Sequence, residues 1–121
     1  MTETETPADR LREAANTVRQ GHCRGHMIDR WNNRCAIGAL TRVQAGNLKS
    51  PMRLLIDDPI ALEASSALAG YLETAGVSAC HCGRGLAHHT VASWNDSIAA
   101  DGEAVASAME KAAAAYEERV R

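Results

Sequence analysis

The chain has 121 residues, which fits one domain and allows a hydrophobic core to form without disulfide bonds. It contains no Phe, two Trp and two Tyr, and Ala is its commonest residue. Because strands favour aromatic and β-branched residues whereas Ala is the best helix former, this composition indicates a mainly helical fold.

The net charge of −2 hides an uneven distribution of charge along the chain. Residues 9–53 carry nine Lys or Arg against three acidic residues, and residues 54–121 carry four against ten. The two halves can attract each other within the fold, or a basic face can bind an acidic partner. The first interpretation is preferred, because a nucleic-acid-binding protein is usually more basic overall.

The N-terminal sequence "MTETETPADR" has neither the basic region nor the apolar stretch of a signal peptide. No apolar segment approaches the roughly 20 residues that a membrane span needs. We therefore expect a cytoplasmic protein with no membrane partner, whose cysteines are thiols or metal ligands. A Cys23–Cys35 disulfide would require the chain to turn back on itself between these residues.

The first predicted helix carries a complete start signal. Thr6 is placed to cap its N-terminus, Pro7 suits the first helical position, and Asp9 completes a capping box. Gly21 is expected to end the helix. Its apolar stripe follows helical spacing and comprises Leu11, Ala14, Ala15 and Val18.

The segment "HCRGHMIDRWNNRCAIGAL" at residues 22–40 is the richest in chemically active side chains. Its "RWNN" tetrapeptide predicts a tight turn, since Asn tolerates positive φ, and residues 23–34 are therefore predicted to form a short β-hairpin. A second helix is predicted over "CAIGALTRVQAG", ending at Gly46. Gly38 inside this helix costs ~1 kcal/mol relative to Ala and suggests that another backbone passes close by.

The rest of the chain is predicted to be helical apart from two loops. Residues 47–57 are interpreted as a loop with a buried "MRLLI" anchor. A long helix is expected between Asp58 and Gly76, in which Gly70 again suggests close packing. A Cys/His-rich loop, a short helix over "TVASWND" and a final helix capped by Asp101 complete the series.

These elements predict a mainly α fold, a small helical domain of about five helices with one short β-hairpin after the first helix. Residues 1–5 are expected to be disordered. Residues 6–121 are expected to form a single helical domain.

The combination of "CAIGAL", "VASWND" and "EAVASAMEKA" resembles an uncharacterised family of small actinobacterial and actinophage proteins, a domain of unknown function. In that family a first helix ending in Gly precedes a Cys-x-x-Gly-x-Leu helix, a Trp-Asn-Asp motif and a closing amphipathic helix. The resemblance covers most of residues 8–115 and implies no known activity. A Cys/His loop such as the one at residues 80–89 is not part of the pattern. The motif positions here are Cys35, Gly38, Leu40, Trp94, Asn95 and Asp96.

A zinc site is one hypothesis, because thiolate and imidazole are the natural zinc ligands. The spacing "CHC" is tighter than the usual Cys-x2-Cys knuckle, so two loops would have to meet to complete a tetrahedral site. The alternative is an exposed loop of ordinary thiols and imidazoles, with no cofactor. The candidate ligands are Cys23, Cys35, Cys80, Cys82 and His88, or His89 in its place.

A cysteine nucleophile, in a hydrolase or transferase that depends on Cys35, is a second hypothesis. Cys35 begins a predicted helix, where the helix dipole and Arg34 favour the thiolate. His88 or His89, and then Asn95, follow in the Cys, His, Asn order that papain-like enzymes use. Those enzymes place His and Asn on a sheet, and no sheet is predicted here. A small buried Cys packed at the head of a helix is therefore preferred.

The two Trp residues receive different interpretations. Trp94 is expected to fill a core that lacks Phe, while Asn95 and Asp96 cap the helix or bond to neighbouring backbone and act as a structural latch. The alternative makes Trp94 an anchor at a partner surface. Trp31 lies at the predicted hairpin tip, where it suits a partner surface, since interfaces are enriched in Trp and Arg. The predicted contact residues are Arg24, Arg30, Trp31 and Arg34.

The function expected from these patterns is that of a small accessory protein without catalysis of its own. It would bind a macromolecular partner, with a protein preferred, and would be phage-encoded and host-directed. A homodimer is compatible with its Ala-rich last helix. Nucleic-acid binding is less favoured, because the chain has no recognisable motif and few aromatic residues for stacking on bases.

Overall fold

The computed structural model describes residues 4–77 and 87–121. In these two segments the chain forms six helices and no extended strand, so the mainly helical fold predicted from the composition is confirmed. The helices are α1 (Pro7–Gln20), α2 (Ala36–Thr41), α3 (Pro51–Ile56), α4 (Pro59–Thr74), α5 (Ala87–Ser97) and α6 (Gly102–Val120).

The N-terminus of α1 has the predicted capping box. The Thr6 hydroxyl accepts a hydrogen bond from the Asp9 N–H, and the Asp9 carboxylate accepts one from the Thr6 N–H, each 3.1 Å long. Gly21 follows the last turn and donates its N–H to the Thr17 carbonyl. The predicted apolar stripe is buried, and α1 packs most extensively against α6.

The hydrophobic core draws on α1, α2, α4, α5 and α6. Much of it is Ala, which buries little area per residue and lets helices approach closely. Trp94 supplies bulk to this Phe-free core, as predicted, and is 6% exposed. The largest fully buried apolar side chains are Leu11, Val18, Ile37, Leu40, Val43, Leu55, Leu68, Val91, Val105 and Met109.

The predicted starts of α4 and α6 are confirmed, whereas α5 begins at Ala87, three residues before the predicted "TVASWND" helix. The Asp58 carboxylate accepts the Ala61 N–H at 3.2 Å, and the Asp101 carboxylate accepts the Ala104 N–H at 2.8 Å. Gly76 lies just beyond α4 with a φ of +96°, a conformation in which Gly is favoured over other residues. Local capping chemistry therefore determines where these helices begin.

The predicted β-hairpin at residues 23–34 is wrong. In the described part of the chain this segment has two isolated bridges, which join His22 and Ile28 to Arg34. One bridge is parallel and the other is antiparallel, so they cannot belong to one hairpin ladder. The segment is instead a folded loop, called here the 22–34 loop.

The tip of the 22–34 loop is a tight turn, called here the tip turn (residues 29–33). The Asp29 carboxylate accepts the N–H groups of Trp31 and Asn33 at 2.9 Å each. Side-chain bonds of this kind satisfy donors that a strand ladder would otherwise use. Asn32 has a φ of 64°, so the expectation that Asn supplies a positive φ here is confirmed.

The predicted end of the second helix is also wrong. The helix ends at Thr41, five residues before Gly46, because Arg42 takes the left-handed conformation with a φ of 56°. The Val43 N–H then bonds back to the Gly38 carbonyl at 3.2 Å. Such a bond satisfies a free carbonyl at the helix end and terminates the helix.

Residues 47–57, predicted to be a loop, contain the six-residue helix α3. Ser50 caps it by accepting the Arg53 N–H at 3.2 Å, and Pro51 takes the first helical position. This is the same start signal that Asp58 and Pro59 provide for α4. Of the "MRLLI" anchor, Leu55 is fully buried.

The two helical glycines differ in their surroundings. A Cβ atom on Gly38 would lie 1.8 Å from the Met27 carbonyl oxygen, which confirms the close approach predicted there. A Cβ atom on Gly70 would meet nothing within 4 Å, so the same prediction is wrong at that position.

The uneven charge distribution is accounted for in part within the molecule, because four of the nine cations of residues 9–53 pair with acids of residues 54–121. Cations of the basic half pair with acids of the acidic half, which ties α1 to α4 and α6. The pairs are Arg10 with Asp58, Arg12 with Glu117, Arg19 with Glu103 and Glu110, and Lys49 with Asp57.

Candidate functional site

Asn95, on α5, is fully buried and holds the 22–34 loop in place. Its Oδ1 atom accepts the Ala36 N–H at 3.1 Å and lies 2.7 Å from the Nε2 atom of His22. Its Nδ2 atom donates to the Cys23 carbonyl at 3.2 Å and to the Asp96 carboxylate at 2.9 Å. One side chain thus joins the 22–34 loop, the start of α2 and α5, in agreement with the structural latch predicted for this motif.

The hydrogen bonds of Asn95 also place a hydrogen on the Nε2 atom of His22. The Ala36 N–H needs an acceptor, so the amide oxygen of Asn95 must face it. The same oxygen faces Nε2 of His22, which must therefore carry a hydrogen and donate it. The ring is accordingly a donor to the latch.

Arg24, a predicted contact residue, is committed to the fold. Its guanidinium donates to the carbonyls of Asn95, Ala99 and Ala100, the last at 3.0 Å. These carbonyls lie at and just beyond the C-terminal end of α5, where helix acceptors lack partners within the helix. The Asp96 carboxylate completes the junction by accepting the N–H of Gly25 at 3.0 Å.

Arg34, also a predicted contact residue, links the tip turn to the residues that follow α2. Its Nε atom donates to the Val43 carbonyl at 3.0 Å, and its Nη1 atom contacts the Asn32 carbonyl at 3.4 Å. The remaining two predicted contact residues face solvent. Trp31 is 69% exposed, and the guanidinium carbon of Arg30 lies 4.7 Å from the centroid of its ring.

The two described cysteines are thiols in sheltered positions. Cys35 caps α2 by accepting the Gly38 N–H at 3.3 Å, and burial raises the pKa of its thiol despite this bond. The Cys23 thiol points at the carbonyls of His26 and Asn33, and burial raises its pKa to about 11. Burial therefore acts against the thiolate that a nucleophile or a metal ligand needs.

The three residues in papain-like order are not linked as a catalytic chain. The Asn95 amide is bonded to His22 and to backbone groups. His88 is 7% exposed, and its ring packs edge-on against that of His89, with 4.4 Å between the two ring centroids. Burial, and then the charge of His89, lower the pKa of His88. Cys35 and His88 share the wall of one cleft.

The structure describes only some of the candidate zinc ligands. Among residues 4–77 and 87–121, no three His, Cys, Asp or Glu side chains form a group that could hold a metal ion. Cys23, Cys35 and His88 belong to these segments. Cys80 and Cys82 lie outside the described residues, so a zinc site that includes them stays a prediction.

A cleft of about 350 Å³ lies between the 22–34 loop and helices α2, α3 and α5. Its wall is mainly apolar, with imidazole groups and one carboxylate among the apolar side chains. The residues that bear on its chemistry are Met27, Ile37, Met52, His88, Ala92 and Asp96.

Sequence reasoning missed Arg10, which is 2% exposed. Its guanidinium bonds to the Leu40 carbonyl at 2.9 Å, to Asp58 at 2.7 Å and to Glu5 at 2.8 Å. Glu5 belongs to the N-terminal residues predicted to be disordered, of which the structure describes residues 4 and 5. A sequence signal for Arg10 exists, because it lies four residues before Ala14 on the buried stripe of α1.

Fold and site together define a small helical domain in which a buried Asn anchors a folded loop with an exposed aromatic tip. Residues 2–115 match the family of unknown function DUF6197, and the chain belongs to that family. The prediction that the chain belongs to a family of unknown function is thereby confirmed. No curated protein and no solved structure shows a significant match to the chain. None of the helices in the described segments has the length and hydrophobicity to cross a membrane.

Proposed function

We propose that this protein acts by binding a macromolecular partner, a protein, through the tip turn. The carrying observation is the 69% exposure of Trp31 on a turn whose backbone is held by the fold. Trp and Arg are the residues most enriched among those that dominate binding energy at interfaces. Trp31 and Arg30 form such a pair at the surface.

The tip turn is organised before any partner arrives. Asp29 holds the N–H groups of Trp31 and Asn33, and Arg34 connects the turn to the end of α2. The base of the loop is held by Asn95. A rigid contact loses less conformational entropy on binding, so more of its interaction energy appears as affinity.

The charge at the tip favours an acidic protein surface. Arg24 and Arg34 are committed to backbone carbonyls, whereas Arg30 forms no ion pair within the described residues and lies against Trp31. Its guanidinium is therefore free to bind a carboxylate of a partner in the paired geometry that suits Arg. The net charge of −2 gives no support to a nucleic-acid partner.

Three further expectations belong to the same proposal and are carried by the sequence alone. The chain comes from an actinobacterium or its phage, it acts on a host protein, and it works in the cytoplasm. A second copy of the chain is the other protein that could occupy the tip turn.

The test compares two exposed apolar residues. Trp31→Ala should weaken binding to the purified partner, once affinity capture has identified it, by at least about tenfold. Leu48→Ala is the matched control, because Leu48 is 98% exposed and lies outside the tip turn. It should leave the affinity unchanged. Both variants should retain the melting temperature of the parent protein.

Three results would contradict the proposal. The first is equal affinity of Trp31→Ala and the parent protein for the partner. The second is an equal loss of affinity in Leu48→Ala. The third is unfolding of Trp31→Ala, which would make Trp31 a structural residue. Light scattering identifies the partner as a second copy if the parent is dimeric and only Trp31→Ala is monomeric.

A further inference from the structure

We propose that the cleft between the 22–34 loop, α2, α3 and α5 is a binding site for a small, neutral, mostly apolar molecule that carries one hydroxyl group. The inference is independent of the proposed function, because the cleft and the exposed ring of Trp31 are different surfaces of the loop. It depends on the size of the cleft, its apolar wall and the environment of His88.

The size and the wall of the cleft suit a small organic molecule. Its volume of about 350 Å³ lies at the lower end of the roughly 300–1,000 Å³ that such sites span. Met27, Ile37, Met52 and Ala92 supply apolar contact area on several sides. The two thioethers are polarisable and flexible, and they pack favourably against aromatic rings. A flat aromatic framework is therefore the preferred ligand body.

His88 is the polar group that distinguishes this cleft from a plain apolar groove. It is 93% buried, taken from its exposure of 7%, and it lines the cleft. Within the segments that the structure describes, its ring contacts that of His89 and has no hydrogen-bond partner. A ring nitrogen that faces the cleft without a protein partner can exchange a hydrogen bond with a polar group that a ligand brings.

The charge of the wall selects a neutral ligand over an anion. The described wall of the cleft carries no Lys or Arg, and a neutral His88 imidazole offers one donor and one acceptor. The Asp96 carboxylate on the same wall opposes a second negative charge. A hydroxyl group can donate or accept, so it satisfies either nitrogen of a neutral imidazole.

The remaining polar groups are less suited to hold a ligand. The Ser50 hydroxyl accepts the Arg53 N–H as the cap of α3. The Asp96 carboxylate already accepts the Gly25 N–H and an Asn95 amide hydrogen. His88 is therefore the residue on which ligand specificity should depend.

The experiment uses 2-naphthol as the probe, with 2-methylnaphthalene and 2-naphthoate as matched comparators. Titration of the full-length chain, followed by NMR of the histidine rings, should give saturable binding of 2-naphthol that shifts the His88 signals. The naphthol should bind more tightly than both comparators. His88→Leu should weaken naphthol binding by about fivefold or more, as loss of one hydrogen bond predicts, and leave 2-methylnaphthalene binding unchanged.

Two further variants keep the test independent of the folding of His88→Leu. Met52→Lys places a charge on the half-buried wall and should abolish binding of all three compounds. Trp31→Ala should leave binding of all three unchanged, so a failed cleft and a failed tip turn give different results.

The proposal is overturned if 2-naphthol shows no saturable binding or binds no more tightly than 2-methylnaphthalene. Tighter binding of 2-naphthoate, or naphthol binding that survives Met52→Lys, would also overturn it.

Discussion

The Nε2 atom of His22 lies 2.7 Å from the Oδ1 atom of Asn95, and this contact joins residues separated by 73 positions in the chain. The same oxygen accepts the N–H of Ala36, so the end of α1 and the start of α2 share one acceptor on α5. The position of the tip turn, which begins only seven residues after His22, therefore depends on a side chain in the second half of the protein.

Asn95→Ala should destabilise the fold strongly. It leaves the Ala36 N–H and the Cys23 carbonyl without partners in a buried site, and the expected loss is about 2–4 kcal/mol in the free energy of unfolding. Urea denaturation measures this loss. Asn16→Ala is the control, since Asn16 is exposed on α1 and should change stability by less than about 0.5 kcal/mol. Equal effects of the two substitutions would show that the hydrogen bonds of Asn95 do not stabilise the fold.

Gly38→Ala and Gly70→Ala should shift stability in opposite directions. The new methyl group at Gly38 would overlap the Met27 carbonyl, so the loop or α2 must move, at an expected loss of about 2 kcal/mol or more. At Gly70 the methyl group enters open space in α4, and better helix propensity should add about 0.5–1 kcal/mol. The melting temperatures of the two variants provide the comparison. Destabilisation by Gly70→Ala would show that α4 packs more tightly there than the structure indicates.

Arg10→Met should lower the free energy of unfolding at pH 7 by about 2–3 kcal/mol. The guanidinium is buried, but its carboxylate partners Glu5 and Asp58 reach water, so the loss stays below that of a fully buried pair. Arg12→Met is the control, because Arg12 forms an exposed pair with Glu117 and should produce a much smaller loss. Denaturant unfolding of both variants measures the difference, and equal losses would contradict a special role for Arg10.

The same network predicts a dependence of stability on acid. The hydrogen bond from Arg10 lowers the pKa of Glu5. Burial acts to raise the pKa of Asp58, but the hydrogen bonds from Arg10 and from the Ala61 N–H outweigh burial, so the pKa of Asp58 is lowered overall. A carboxyl group whose pKa is lowered by folding stabilises the folded state at pH values above its pKa in the unfolded chain, which is near 4.5 for Glu5 and 3.8 for Asp58. This stabilisation is lost as the pH falls through the lowered pKa of the folded state. The parent protein should therefore lose stability on acidification below about pH 5, and Arg10→Met should lose less. Parallel pH profiles for the two proteins would contradict this prediction.

The thiols of Cys23 and Cys35 should alkylate slowly. Burial raises the pKa of both, to about 11 for Cys23, so little thiolate is present at pH 7–8. Mass spectrometry of the native Cys80→Ser/Cys82→Ser variant after iodoacetamide treatment isolates these two residues. The rate for Cys35 should fall below that of free cysteine and rise on unfolding in urea. Rapid labelling of Cys35 at neutral pH would restore the nucleophile hypothesis.

Local chemistry explains which helix boundaries were predictable. Thr6, Asp58 and Asp101 begin their helices through bonds to an N–H three residues away, so the signal and its partner lie in one short segment. The start of α3 carries the same kind of signal in Ser50 and Pro51, but a helix of six residues is too short to show a helical repeat of apolar side chains. Length, and not a different chemistry, concealed it.

Non-local contacts explain the errors. The hairpin failed because Asp29 and the distant Asn95 take the backbone groups that a ladder would have used. The close packing predicted at Gly70 is wrong because a helical glycine next to a neighbouring backbone and one next to open space look alike in sequence. Arg24 and Arg34 were expected to face a partner, but they bond to carbonyls that are remote in the chain or brought near by a turn.

The sequence by itself determined that this protein is mainly helical, where most of its helices begin, and which Trp joins the core. These properties depend on composition and on bonds within a few residues. Only the tertiary structure decided which arginines stay available at the surface, how Asn95 connects three parts of the chain, and that a cleft opens beside His88. Those properties depend on donors and acceptors from separate segments, and only their meeting in space determines which groups are satisfied and which remain open to a partner.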